Sequence, residues 1–432
     1  MTRRHWTSGR WSMVAICLGV VLLMGSAAFR VAGVPALVRF PLDVNKTAHY
    51  TGTSTTYIDQ NTLLPLATPK VEPLQLDRHV KVVNGSFGRA VVAETVTIRT
   101  PSSTNVETYR YVMDRRTMKF VSDPGQYAFG DPKSTMHAAG SFRVNFAMGT
   151  TPGGTYRAYI PEADSQVPLR LVRGPFYDPK TGTDVVEFSS KLETPVAPYY
   201  RTHLAAIGLP MQVTAAELQP QLMAAGIDMG RALADVGSRL TPADAALLSS
   251  TLAKPVPLRY FFVVDGNVFI EPKTGALVDV HSNQEGVAVQ PDLSGAAALK
   301  PVLDRYSDIP SVKAVSDGLA KLALQTPQLA QTLKYQQTPA SSAAIAATAA
   351  SQARMMTVVT WWVPGLMAAF GAALVLLGVI RRRRNRRGGP NRPAELPVPE
   401  PSPAPVPPVP VAVGPAPGDR IPADAGRTHE RV

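Results

Sequence analysis

One cysteine in 432 residues excludes any disulfide within the chain, so the core must hold without that staple. Cys17 also lies near the start of an apolar run, whereas the lipid-bearing cysteine of a lipoprotein closes one, which argues against that modification. Signature motifs of catalysis are missing. The seven histidines, His5, His49, His79, His137, His203, His281 and His429, include no pair at metal-ligand spacing, and no H-E-x-x-H, C-x-x-C, G-x-S-x-G or P-loop occurs. These absences point away from an enzyme, and no catalytic residue, metal or cofactor is expected.

Charge is scarce as well, at 18% of residues, and what there is gathers at the ends. The formal +12 divides into +3 over residues 1–11, +5 over residues 381–432 and only +4 over the 369 residues between. A central region so nearly neutral is no nucleic-acid clamp, and no nucleic acid is expected as a partner. Proline is abundant but local: 12 of the 28 residues from Pro390 to Pro417 are proline, which predicts a disordered tail of polyproline II character.

Two long uncharged runs are present. One covers 19 residues between Arg10 and Arg30, the other 26 between Arg354 and Arg381, and about 20 residues suffice to cross a bilayer. Trp361 and Trp362 suit an interface, and Pro364-Gly365 predicts a kink that a membrane helix tolerates. Arg3, Arg4 and Arg10 precede the first run, and Arg381, Arg382, Arg383, Arg384, Arg386 and Arg387 follow the second. Because basic flanks stay on the cytoplasmic side, both termini are expected inside, with membrane lipids as the first partners. For the first run a cleaved signal peptide is the competing reading, since Gly25, Ser26, Ala27 and Ala28 follow its apolar centre. Either way the middle of the chain is exported.

The expected architecture is therefore an α+β extracytoplasmic domain of antiparallel sheets and helices, tethered by N- and C-terminal transmembrane helices. Its segments are a cytoplasmic start at 1–10, a span at 11–30, the exported domain at 31–354, a span at 355–380 and a basic, proline-rich cytoplasmic tail at 381–432. Within the domain, alternating apolar residues from His79 to Thr100 predict two strands meeting at Asn84-Gly85. VETYRYVMD, MKFV, TYRAYI and RYFFVVDGNVFI predict further strands. Three loops, after Tyr111, Phe176 and Phe269, set an acid and a threonine between apolar strands, and two of them share Pro-Lys-Thr-Gly. They suit either a ligand site or plain turn chemistry, and one or two oxygens per loop favour the turn. Residues 214–253 read as helical, with Thr241 capping and a Leu218, Leu222, Met223 and Ile227 stripe suited to a core. Residues 296–354 read as helical too, ending in an alanine-rich stalk that enters the second span without a break after Pro339.

The order of these elements resembles a known family. An N-terminal span, the FPLDVNKTAHYTGTSTTYID opening from Phe40 to Asp59, the Tyr111, Asp114, Arg115 and Thr117 element, the FIEPKTGALVDV pair and a C-terminal span with a basic stop are similar to actinobacterial two-pass envelope proteins of the porin PorA family. The resemblance covers roughly residues 10 to 385 and implies an envelope location, with no catalytic residues to carry over. Its porin label implies a channel, although a spanning barrel needs many strands with lipid-facing alternate positions, and here helices do the spanning. The sequence thus leads to a membrane-anchored envelope protein whose exported domain binds a lipid, glycan or protein ligand, with a channel or transport component and an exported enzyme as competing readings.

Overall fold

The structure is a computed structural model that describes residues 3–59 and 64–387. The expectation of disorder for the proline-rich tail lies outside the described residues. An α+β architecture with antiparallel sheets is what the chain forms. Its strands are β1 (Asn45–Ile58), β2 (Pro65–Gly85), β3 (Arg89–Arg99), β4 (Thr104–Asp114), β5 (Arg157–Ile160), β6 (Ser165–Pro168), β7 (Arg170–Asp178), β8 (Thr183–Pro195), β9 (Gln212–Val213), β10 (Val256–Ile270), β11 (Leu277–Pro291) and β12 (Gln328–Gln337). The main sheet runs β4-β3-β2-β1-β12-β11-β10-β8-β7, with β9 joined to β10, while β5 and β6 form a separate hairpin. Every one of these strand pairs is antiparallel.

Alternation decides which face is covered. In β3, Ala90, Val92, Glu94 and Val96 are buried while their neighbours are half-exposed, the period of two that a one-sided core demands. The buried face carries Tyr109, Tyr111 and Phe188, which share a core cluster with Phe120 and Phe142. Residues 115–156 fold over it largely as turns and isolated bridges rather than strands. MKFV is therefore no strand: only Phe120 bridges, to Met113, and Met118 takes a φ of 61°. At the other end of the sheet β8 is covered on both faces, since adjacent Val185 and Val186 are both fully buried in different clusters.

The helices are α1 (Arg3–Ala28), α2 (Val34–Leu37), α3 (Pro198–Ala206), α4 (Ala215–Ala224), α5 (Met229–Val236), α6 (Pro242–Leu252), α7 (Lys300–Arg305), α8 (Pro310–Ala323), α9 (Pro339–Thr357) and α10 (Val363–Arg387). The predicted helical section at 214–253 is three helices, parted where Gly226 and Gly237 adopt φ of 79° and 49°. Thr214 and Thr241 cap α4 and α6 by accepting from the Glu217 and Asp244 amides, as Thr241 was expected to do. Of the apolar stripe, Leu218 and Ile227 enter the core, but Met223 is 48% exposed. Ile227 joins Val236, Leu248, Val302, Tyr306 and Val312 in a cluster that belongs to the helices alone.

Two other expectations fail. Asn84 and Gly85 are not the hairpin turn: they pair with Val91 and Ala90, and the chain reverses over Ser86 to Gly88. Arg115 Nη1 donates to the Ser86 carbonyl at 2.9 Å and Arg39 Nη1 to that of Phe87, so distant guanidiniums place the turn. The helical reading of 296–354 is interrupted by β12, a central strand paired to β1 and β11. The stalk after Pro339 does hold, rising without a break through a π turn at Val358–Trp362 into α10. That π turn directly precedes Pro364, whose missing N–H frees a carbonyl one turn back.

The Pro-Lys-Thr-Gly loops are turns. Glu271 Oε2 accepts from the Thr274 amide and hydroxyl at 2.7 and 2.6 Å, and Gly182 and Gly275 adopt φ of 69° and 71°. Their surroundings differ, because a Cβ on Gly182 would meet nothing closer than 4.0 Å whereas one on Gly275 would fall 2.1 Å from the Phe146 carbonyl oxygen. Gly182→Ala is thus expected to lower stability by about 1–2 kcal/mol, the left-handed backbone cost, and Gly275→Ala by roughly 2 kcal/mol more, as read from urea unfolding. Equal losses would show that Phe146 moves aside freely.

Candidate functional site

Among the described residues two helices are long and apolar enough to cross a membrane, Trp11–Leu37 and Pro339–Arg384. They run antiparallel and close. A Cβ on Gly19 would lie 2.5 Å from the Gly371 carbonyl oxygen, one on Gly378 would lie 2.8 Å from that of Ser12, and Ser26 Oγ donates to the Pro364 carbonyl at 2.7 Å. Small residues at such a seam let backbones approach where lipid offers no hydrophobic drive. At the upper end the Arg30 guanidinium lies 4.4 Å from the Trp361 ring centre, while Trp362 is exposed beside it. Antiparallel packing gathers Arg3, Arg4 and Arg10 of α1 with Arg381, Arg382, Arg383, Arg384, Arg386 and Arg387 of α10 at the opposite end.

Where these helices meet the sheet there is a cavity of about 250 Å³. Leu37 comes from the first helix and Met355, Met356 and Val359 from the second, while Phe40, Val44, Ala48 and Ala276 line the sheet side. A second cavity of about 160 Å³ lies within the trough, with Tyr50, Arg78 and Leu277 lining both. The trough follows from curvature: Glu94 of β3 and Glu107 of β4 line the same space as Glu285 of β11, which a flat sheet would hold strands apart.

The inner cavity is polar. Glu94, with 0% exposure, accepts from Arg78 Nε at 2.6 Å and Arg143 Nε at 3.0 Å. Burial alone would raise its carboxyl, but Arg143 and Arg78 reverse that and hold it down at about 2. Glu107 goes the other way, pushed up to about 7 by burial and by the neighbouring Glu162. The Tyr109 hydroxyl oxygen is 2.6 Å from Glu107 Oε2 and 3.1 Å from Glu162 Oε1. A hydroxyl has one proton, so a proton retained by Glu107 relieves the second contact. Burial and Glu162 also raise Glu285, which accepts from the Tyr335 hydroxyl at 2.5 Å.

The histidines have separate partners. His49 pairs with Asp77, His79 with Asn45, His137 with Asp164 and His281 with Asp279. His203 stacks on Phe129 and Tyr200, and burial lowers its ring. Among the described residues no three histidine, cysteine, aspartate or glutamate side chains assemble as a metal site.

Sequence reading missed the inner cavity's charged residues, although a signal exists. Glu94 stands in the inward series Ala90, Val92, Glu94 and Val96, and Arg78 in Leu74, Leu76, Arg78 and Val80; a charge at an inward position of an alternating strand demands a buried partner. Lys180, read as part of a turn, sends Nζ to Asp279 Oδ2 at 2.6 Å and to the Gln337 carbonyl at 3.1 Å, while Ser342 Oγ of α9 donates to Asp279 Oδ1 at 3.0 Å. The turn, the sheet and the stalk are thereby locked together.

No curated protein matches the chain. A family model does, the one for Porin PorA, over residues 11–380, a stretch that takes in the first apolar helix, the second as far as Ile380, the sheet and both cavities. The chain belongs to the Porin PorA family.

Proposed function

We propose that this protein is a two-pass envelope protein with both termini in the cytoplasm, whose exported domain draws an amphiphile from the membrane into the trough of its sheet. The observation that carries the reading is the position of the 250 Å³ cavity, walled on one side by the outer ends of both apolar helices and on the other by β-strands. A molecule diffusing in the bilayer meets that opening without crossing water, and apolar lining with a few polar groups suits a small-molecule site. The arginine clusters support the orientation, and the Gly19–Gly371 seam supports retention of the first helix as an anchor. Binding, rather than chemical transformation, is the work assigned to the trough.

The full chain, extracted in a mild non-ionic detergent, is expected to carry a lipid-sized adduct in native mass spectrometry that disappears in Ala276→Trp, whose indole fills the outer cavity. Protein that remains empty under gentle activation would overturn the proposal. Reproducible conductance in planar bilayers, together with an empty trough, would favour the channel reading that the family label suggests.

A further inference from the structure

The trough's inner cavity holds more carboxylates than its own cations neutralise. Arg78 and Arg143 both direct Nε to Glu94, and Arg143 Nη2 comes no nearer to Glu162 than 4.0 Å. Glu107, Glu162 and Glu285 line the same space without a closer cation. The nearest imidazole, His203, stands 3.8 Å from Glu107 and is held toward its neutral form by burial.

A second observation is independent of that charge. Ser282, on the same strand as Glu285 and 5% exposed, lines the cavity with its Oγ buried and without a hydrogen-bond partner. A buried hydroxyl left unpaired is costly, and here it faces space that a ligand atom can fill. Donors are scarce in such a set: Glu162 and Glu285 accept, and the hydroxyls of Tyr109 and Tyr335 already point at carboxyl groups.

We propose that the inner cavity receives the primary ammonium head of an amphiphile, donating to Glu285, Glu162 and Ser282 Oγ while the tail lies in the outer cavity. The inference rests on the amphiphile reading above. An ammonium group brings three donors and one positive charge, matching both the excess carboxylate and the orphan hydroxyl. An anionic head would meet the Glu162 and Glu285 carboxylates with both arginines already engaged, and a neutral alcohol would leave that charge uncompensated.

The test compares three probes of equal chain length, dodecylamine, 1-dodecanol and dodecanoate, titrated into the full chain in dodecyl maltoside near neutral pH and followed by thermal shift and calorimetry. Dodecylamine is expected to bind at least about ten-fold more tightly than the other two, and Ser282→Ala and Glu285→Gln each to lose about ten-fold of that affinity. Glu285→Gln keeps an acceptor for Tyr335, and Ser282→Ala removes only an unpaired hydroxyl, so the second variant carries the test should the first unfold. Equal or tighter binding of dodecanol or dodecanoate, or amine binding untouched in the variants, overturns the ammonium assignment and leaves the amphiphile reading standing. Failure of all three probes overturns both.

Discussion

Replacing Glu94 with glutamine is expected to destabilise the sheet domain by about 3–5 kcal/mol, because it strands two buried guanidiniums. Arg78 and Arg143 are each 16% exposed at the side chain, and the carboxylate between them is fully buried. Removing one partner of such a set leaves uncompensated charge, which costs far more than the intact set contributes. The pH dependence follows from the lowered carboxyl. Glu94 is held at about 2, against about 4.3 in an unfolded chain. A depressed carboxyl stabilises the fold above the unfolded value and loses that contribution as pH falls through it toward the folded one. Urea unfolding should therefore show the wild type losing stability between about pH 4.5 and 2, with that component absent from Glu94→Gln. A variant as stable as the wild type at neutral pH would mean that water reaches both arginines.

Gly52→Ala and Gly286→Ala are each expected to cost at least about 3 kcal/mol, the upper end of overpacking penalties. A Cβ on Gly52 would fall 1.9 Å from the Lys334 carbonyl oxygen, and one on Gly286 would fall 2.1 Å from that of Gln331. Both carbonyls belong to β12, one facing β1 and the other β11, so neither can retreat without breaking a ladder. Gly88→Ala is the control, since no atom lies within 4 Å of its added carbon. It should stay within about 0.5 kcal/mol of wild type. Thermal midpoints read the difference, and a Gly52→Ala protein that melts with the wild type would disprove the close approach of β1 and β12.

Much of the fold was legible where a local rule operates. Strand alternation from His79 onward, the Thr241 cap, the left-handed glycines of the Pro-Lys-Thr-Gly turns and the unbroken stalk all express preferences of a few adjacent residues. The two apolar helices are of that kind, since length and the absence of charge suffice. The candidate site was not legible in this way. Its charged residues come from β2, β3, β4, β11, the turn at Pro161–Ala163 and the coil around Arg143, and sheet curvature brings Glu285 into the space that Glu94 and Glu107 line.

By itself the sequence determined the two apolar helices, the charge that flanks them, the α+β class of the domain between them and most of its turns, because each depends on residues that touch their own chain neighbours. Tertiary structure alone decided three things. It moved the β2–β3 turn past Asn84-Gly85, since Arg39 and Arg115 hold the later carbonyls. It drew Gln328–Gln337 out of a helical context into the sheet, since glycines on either side left room for its backbone. And it assembled an acidic trough beside the two apolar helices, since Glu94 of β3 and Glu285 of β11, with three strands between them, line one cavity only once the sheet has curled.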